Sequence, residues 1–194
     1  MHKLRAHDLV RLAPRAVARI ARSAPYWVER SLDAAPWAVV RRARVPGAVA
    51  IGVRGEHRDE RFATELQIDD IACVLTPEGL LQRPATRALD AFVALAAVAR
   101  AGKEHGLRLG PTGSVGFELA TGVACVSPRS DLDVVVRAHP SDPALRRFAE
   151  ALRELPARVD VEIAFGEGCG VALEEALRAG PMLVKTPDGP RMRS

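Results

Sequence analysis

The sequence predicts an α/β protein of the α+β kind, and three observations carry that expectation. Across residues 85–186, strand-length apolar runs alternate with amphipathic helical segments, the pattern of a sheet with helices on one or both faces. Residues 37–54 hold two β-rich runs broken at Pro46-Gly47, where a fixed φ followed by a permissive residue makes a turn, so a hairpin is expected. A further apolar run, Ser130 to Arg137 (SDLDVVVR), reads as a strand opened by two acidic residues.

Taken in order, the basic, partly amphipathic start at residues 1–25 lacks the apolar core of a secretion signal and is read as a helix of the mature domain. The hairpin follows. The run Ile71 to Leu75 ends at Pro77 and Gly79, and a domain boundary is expected near Gln82, giving units of residues 1–82 and 83–194. From Ala85 to about Ala101, Leu89, Phe92, Val93, Ala96 and Ala99 recur at helical spacing, with Gly102 as the stop. The strand Leu107 to Gly110 leads through Gly113-Ser114 into a short helix (GSVGFELATG) and then into the Asp131 strand. Asp142 to about Leu155 forms a second amphipathic helix, with Leu145, Phe148, Ala149 and Leu152 on one stripe and Pro143 in its first turn. The strand Arg158 to Phe165, a short helix ending at Gly180, and a last strand Met182 to Lys185 before a polar tail complete the chain.

Composition narrows the function classes. A chain of 194 residues is long enough to bury a real core. No apolar run reaches membrane-spanning length. Cys73, Cys125 and Cys169 are odd in number, far apart and outside any Cys-x-x-Cys, which argues against a disulfide framework or a zinc site and for a reducing cytoplasm. Net charge is +4, but residues 1–61 carry 13 basic against 6 acidic residues, while residues 62–194 carry 15 against 18. The first part is therefore the polyanion-facing one. Arginine supplies 25 of the 28 basic residues, and its planar fork suits phosphate and carboxylate. With aromatics at 4% and no stacking motif, nucleic acid is not an expected partner, nor is a membrane.

The chemistry concentrates in the second half. On a strand alternate side chains share a face, so Asp131 and Asp133 point the same way, roughly 6.5 to 7 Å apart along the backbone. Two such carboxylates suit a divalent metal in phosphoryl or nucleotidyl transfer, which also needs a third acid nearby. Asp160, on the strand after the next helix, is the natural candidate, with Glu162 on its face. Gly113 and Ser114 stand at a strand-to-helix turn, where unpaired N–H groups meet phosphate oxygens. An isolated Asp-x-Asp is also common as a strand cap beside a surface pair; the Gly-Ser turn, the intervening helix and the valine strand favour the metal reading. The aspartate pattern of the haloacid dehalogenases also fits DLDVVV, but there the acids end an apolar strand, whereas here they begin one. Neither a Gly-x-x-x-x-Gly-Lys loop nor a Gly-x-Gly-x-x-Gly order is present.

An apolar strand, Gly-Ser, a helix and Asp-x-Asp on the next strand resemble the nucleotidyltransferase superfamily. The segment LGPTGSVGFELATGVACVSPRSDLDVVVR looks more specifically like the malonate decarboxylase holo-acyl-carrier-protein synthases, the phosphoribosyl-dephospho-CoA transferases. Sixteen residues separate Ser114 from Asp131, a spacing longer than in most nucleotidyltransferases but matching this branch. The start HDLVRLAP, RFATEL and the closing LVKTPDGPRM extend the likeness to nearly the whole chain.

The resemblance implies a nucleotidyltransferase-like catalytic domain at 83–194 behind a small basic, β-containing N-terminal domain for substrate or carrier docking. It implies transfer of the phosphoribosyl-dephospho-CoA group from triphosphoribosyl-dephospho-CoA to a serine of the malonate decarboxylase acyl carrier subunit, with release of pyrophosphate. It favours Asp131, Asp133 and Asp160 as catalytic and metal-binding residues for Mg²⁺ (or Mn²⁺), and Gly113 and Ser114 as phosphate binders. Arg54, Arg58 and Arg61 join the substrate-binding set; a solvated charged loop accounts for any one of them equally well. A His-Asp pair like His7-Asp8 near the start is read as structural or binding. Two other functions remain open at this level: a nucleotidyltransferase with another acceptor, and a silent binding module that keeps the fold.

Overall fold

The computed structural model describes residues 3–57, 59–85 and 87–193. They fall into two compact units, Met1–Thr76 and Pro77–Ser194. The division comes before the expected one near Gln82 because a short helix, α3 (Pro77–Leu80), packs on a strand of the second unit. The fit is tight: a Cβ on Gly110 of that strand would come within 2.0 Å of the Pro77 backbone carbon.

The first unit runs β1 (Leu9–Leu12), α1 (Pro14–Ala21), α2 (Tyr26–Ala34), β2 (Trp37–Val40), β3 (Val49–Arg54), β4 (Arg61–Leu66), a 3₁₀ turn (Ile68–Asp70) and β5 (Ile71–Leu75). Its five strands lie in the order β4-β3-β2-β1-β5, with every neighbouring pair antiparallel. The expected hairpin is β2 and β3, with Val40 opposite Ile51 and Gly47 taking a left-handed φ of 71° in the connection. Alternate residues Val10, Leu12, Ala38, Val40, Ile51 and Val53 build the core with Ala16, Ile20, Val28 and Leu32 from the two helices. The start of the chain departs from expectation: β1 precedes the helix, because Val10 and Leu12 alternate into that core and Pro14 begins a helix only afterwards.

Two buried acids fasten this unit. Asp70, 3% exposed, accepts from Arg15 Nε at 2.5 Å and Arg19 Nη2 at 2.6 Å, tying α1 to the turn that opens β5. The Arg15 hydrogen bond, then that of Arg19, holds the Asp70 carboxyl below the usual carboxylate range. Asp8 is fully buried and its Oδ2 accepts the Arg5 amide at 2.9 Å, while His7, at φ 76°, donates its own amide to Val40. The His7-Asp8 pair therefore shapes the turn into β1.

The second unit holds α3, α4 (Asp90–Glu104), β6 (Arg108–Pro111), α5 (Gly113–Thr121), β7 (Leu132–Arg137), α6 (Ala144–Ala151), β8 (Val159–Phe165), β9 (Cys169–Ala172), α7 (Leu173–Leu177), β10 (Met182–Thr186) and β11 (Gly189–Arg193). The six strands order as β11-β10-β9-β8-β7-β6. Only β7 and β8 run parallel, joined by a crossover through α6. One sheet face is apolar and buried: Leu132, Val134, Val136, Val161, Ile163, Val171 and Val184. Each such valine is worth about 1.5 to 3 kcal/mol relative to exposure. Gly102 of α4 meets Leu109 on this side, and α4, α6 and α7 continue as one layer. On the opposite face α3 and α5 cover β6 and β7, and the acids of β7 and β8 lie beside them.

Four features differ from the sequence expectations. The buried stripe of α4 is Ala91, Phe92, Ala94, Leu95, Val98 and Ala101, rotated from the expected one, and Val93 is 56% exposed. Alanines on every side of that helix leave Phe92, Leu95 and Val98 to set its orientation. Helix α6 is shorter than expected, ending at Ala151. The polar tail is β11, which pairs with β10 from Met182–Arg193 to Thr186–Gly189, and β9 is a further strand ahead of α7.

Candidate active site

The site grows from the end of β6. The chain turns at Thr112, whose amide donates to Asp133 O at 2.8 Å, and Gly113, the first residue of α5, takes a left-handed φ of 56°. Only glycine fits there: a Cβ would stand 2.0 Å from Asp133 Oδ2, quite apart from the backbone strain. Gly116 adds a second close approach, since a Cβ there would come within 2.7 Å of Pro111 O. The first amides of α5 have no intrahelical acceptor, so the positive end of the helix lies directly against a carboxylate.

Asp131 precedes β7 and Asp133 is its second residue, both half-buried. Asp133 pairs in register with Asp160 on parallel β8, which puts the two on adjacent strands and one face. Gly113, Ser114, Asp131, Asp133 and Asp160 are thus brought to one end of the sheet, as the sequence spacing anticipates. Among the described residues, however, no three His, Cys, Asp or Glu side chains are gathered closely enough to hold a metal ion. The Asp160 carboxylate is turned to Arg158, whose Nη2 stands 2.9 Å from Oδ1. Glu162, on the same face, is bound by Lys185 Nζ at 2.9 Å.

Further along the Asp133 face of β7, Arg137 donates from Nε to Glu78 Oε1 at 3.0 Å, and its buried Nη2 has no hydrogen-bond partner among the described residues. Burial pushes the Glu78 carboxyl up, but bonds from its own backbone amide and from Arg137 outweigh this and hold it below the usual range.

Two residues beside this site escape sequence reasoning: Glu118 and Arg87. Glu118, 1% exposed, receives Arg87 Nε at 2.9 Å on Oε1 and Arg87 Nη2 at 2.7 Å on Oε2. Its Oε2 also accepts the amides of Cys125 and Val126, both at 2.8 Å. The available signal is an acid among Val115, Leu119 and Ala120 on the buried stripe of α5, a position an ionised group occupies only with a partner.

In the first unit, Arg54 and Arg61 stand directly opposite each other on β3 and β4. Arg61 Nη1 donates to Glu60 O at 2.9 Å. Arg58 lies outside the described residues. Cys73, Cys125 and Cys169 form no disulfide, and among the described residues no helix is long and apolar enough to cross a membrane.

A helix start pressed on a carboxylate, with a second acid in register beside it, is the equipment of a group-transfer enzyme, and comparison with known proteins shows the chain to be a transferase. The family model described as "Phosphoribosyl-dephospho-CoA transferase MdcG C-terminal domain" matches residues 79–194, and that of the corresponding N-terminal domain matches residues 5–77. Relatives bearing the name phosphoribosyl-dephospho-CoA transferase include one from Pseudomonas aeruginosa, 41% identical over 95% of this chain and 89% of its own length. Others come from Pseudomonas putida, 36% identical over 99% and 94%, and Klebsiella pneumoniae, 39% identical over 97% and 93%. The chain belongs to the phosphoribosyl-dephospho-CoA transferase family. No solved structure matches it.

Proposed function

We propose that this transferase moves the phosphoribosyl-dephospho-CoA group from its triphosphate precursor to a serine hydroxyl of the malonate decarboxylase acyl carrier subunit, releasing pyrophosphate. The observation that carries this reading is the close approach of Gly113 to Asp133, which sets the first amides of α5 and a carboxylate side by side. Family membership supplies the transferred group.

In this reading the first turn of α5, with Ser114, binds the outer phosphates. The donor set fits a hard divalent cation: Asp131, Asp133 and Asp160 offer only carboxylate oxygens, and Mg²⁺ (or Mn²⁺) prefers them. Asp160 would join the other two in holding it once its carboxylate leaves Arg158. The bound cation would neutralise charge on the triphosphate. Asp160 takes the proton of the carrier serine as its oxygen attacks the α-phosphorus in line. A new phosphorus–oxygen bond to serine forms as the bond to the β-phosphate oxygen breaks, and pyrophosphate leaves. Arg54, Arg58 and Arg61 are assigned, through the basic character of the first part of the sequence, to receiving the acidic carrier or the substrate phosphates.

The test is the intact mass of purified apo carrier after incubation with this protein, Mg²⁺ and triphosphoribosyl-dephospho-CoA. A gain equal to the phosphoribosyl-dephospho-CoA group, absent with Asp131→Asn, is expected. No gain on a carrier that another synthase can load would defeat the acceptor assignment. Near-normal turnover by folded Asp131→Asn would defeat the site.

A further inference from the structure

We infer that Glu118 is a positioning residue, clamping the long connection between α5 and β7 so that Asp131 is held at the phosphate-binding end of α5. The inference rests on the reading of Asp131 and Asp133 as the reacting carboxylates. Residues 122–131 form neither helix nor strand, so something other than a ladder must fix their path. At the start, Gly122 takes a left-handed φ of 77°, and Thr121 Oγ1 accepts the Val123 amide at 3.1 Å. At the midpoint, the Cys125 and Val126 amides converge on Glu118 Oε2, and Arg87 Nη2 reaches both that oxygen and Val126 O at 2.7 Å. The Cys125 thiol adds a contact to Ser114 O at 3.3 Å, which ties the loop to the first turn of α5. Beyond it, the Ser127 amide donates to Ser130 Oγ at 2.9 Å, and the Leu132 amide to Arg158 O at 2.8 Å. Asp131 is suspended between those last two points.

An ionised carboxylate suits this role because it is acceptor-only and can take all four N–H groups at once. A glutamine has one acceptor oxygen and must turn its NH₂ toward a donor. The partners of Glu118 include the loop and the arginine that grips it, so its loss acts on where the loop goes. Charge pairing reinforces the grip, since the Glu118 hydrogen bond raises the proton affinity of Arg87. The connection is long for a nucleotidyltransferase, and the clamp is what makes that length compatible with a fixed Asp131.

The test compares wild type with Glu118→Gln, and with Arg87→Lys, which keeps the charge and loses the fork in case the first variant does not fold. Amide exchange should quicken at Cys125 and Val126 and stay unchanged at Val134 to Val136. Turnover should fall about 10- to 100-fold with the substrate KM within roughly threefold, and Mn²⁺ affinity, followed by electron paramagnetic resonance on Mn²⁺ alone, should weaken about tenfold. A folded variant with lost protection at Cys125 and Val126 but unchanged turnover and Mn²⁺ affinity would make Glu118 a structural residue only. Exchange and Mn²⁺ binding need neither carrier nor prosthetic group. Failure of the wild type on the carrier would therefore count against the acceptor, and the Mn²⁺ titration would still judge the clamp.

Discussion

At the scale of single residues, the site depends on a side chain that is missing. Gly113 brings its backbone against Asp133 because it has no Cβ, and its φ of 56° adds a cost of about 1 to 2 kcal/mol for any L side chain. Gly113→Ala should lower the melting temperature by several degrees and turnover by roughly 100-fold, since a misplacement near 1 Å suffices for that loss. Thermal melts and steady-state rates check both. Arg158 predicts the opposite balance. Its pair with Asp160 is exposed, 71% and 44% at the two side chains, so Arg158→Ala should change stability by less than about 1 kcal/mol. If Asp160 must leave Arg158 to act, turnover of that variant should be kept or raised, whereas Asp160→Asn should abolish it.

At the scale of elements, the fastening of α1 by Asp70 yields a pH prediction. Arg15 and Arg19 hold the folded-state carboxyl below its unfolded value, so the stabilisation is present above the ordinary carboxylate range and is lost as pH falls through the lowered one. Asp70→Asn should therefore melt below wild type at pH 7, with the gap closing toward pH 3; a gap constant with pH would remove the ion pairs from the explanation. Elements also divide by how legible they were. The β2–β3 hairpin, α5 and β7 follow from local signals that packing does not override: a Pro-Gly turn, a Gly-Ser helix start and a run of three valines. Strand β1 was hidden because a four-residue alternation among arginines and alanines also fits an amphipathic helix, and only its pairing with β2 and β5 decides. Strand β9 is four residues with a glycine, and β11 contains Pro190 and two arginines, so neither carries a strand signal of its own. The register of Asp133 with Asp160 follows from the crossover through α6, while the Glu118 clamp joins residues 31 and 8 positions apart and leaves no periodic trace.

At the scale of the whole molecule, each compact unit holds its own sheet, and the first has a core of its own from Val10 to Leu66. A fragment of residues 1–76 should melt cooperatively by circular dichroism; a featureless transition would show that its core needs the rest of the chain. Charge is unequal between them, with 13 basic against 9 acidic residues in residues 1–76 and 15 against 15 in residues 77–194. If that excess receives an acidic carrier, the KM for the carrier should rise steeply with added salt while turnover at saturation changes little. A KM indifferent to ionic strength would assign carrier recognition to other contacts.

The C-terminal hairpin has a bearing on how the protein behaves at high concentration. Strand β11 forms the outer edge of the six-stranded sheet, and its sequence Gly189-Pro190-Arg191-Met192-Arg193 places a proline and two cations along that edge. Proline cannot donate to an added strand, and charges repel a second copy, so the edge discourages sheet-to-sheet growth. Removing residues 189–194 would uncover β10, Met182 to Thr186, whose exposed Leu183 and buried Val184 have no such protection. The shortened protein should polymerise, with light scattering that climbs with concentration where the full chain stays dispersed.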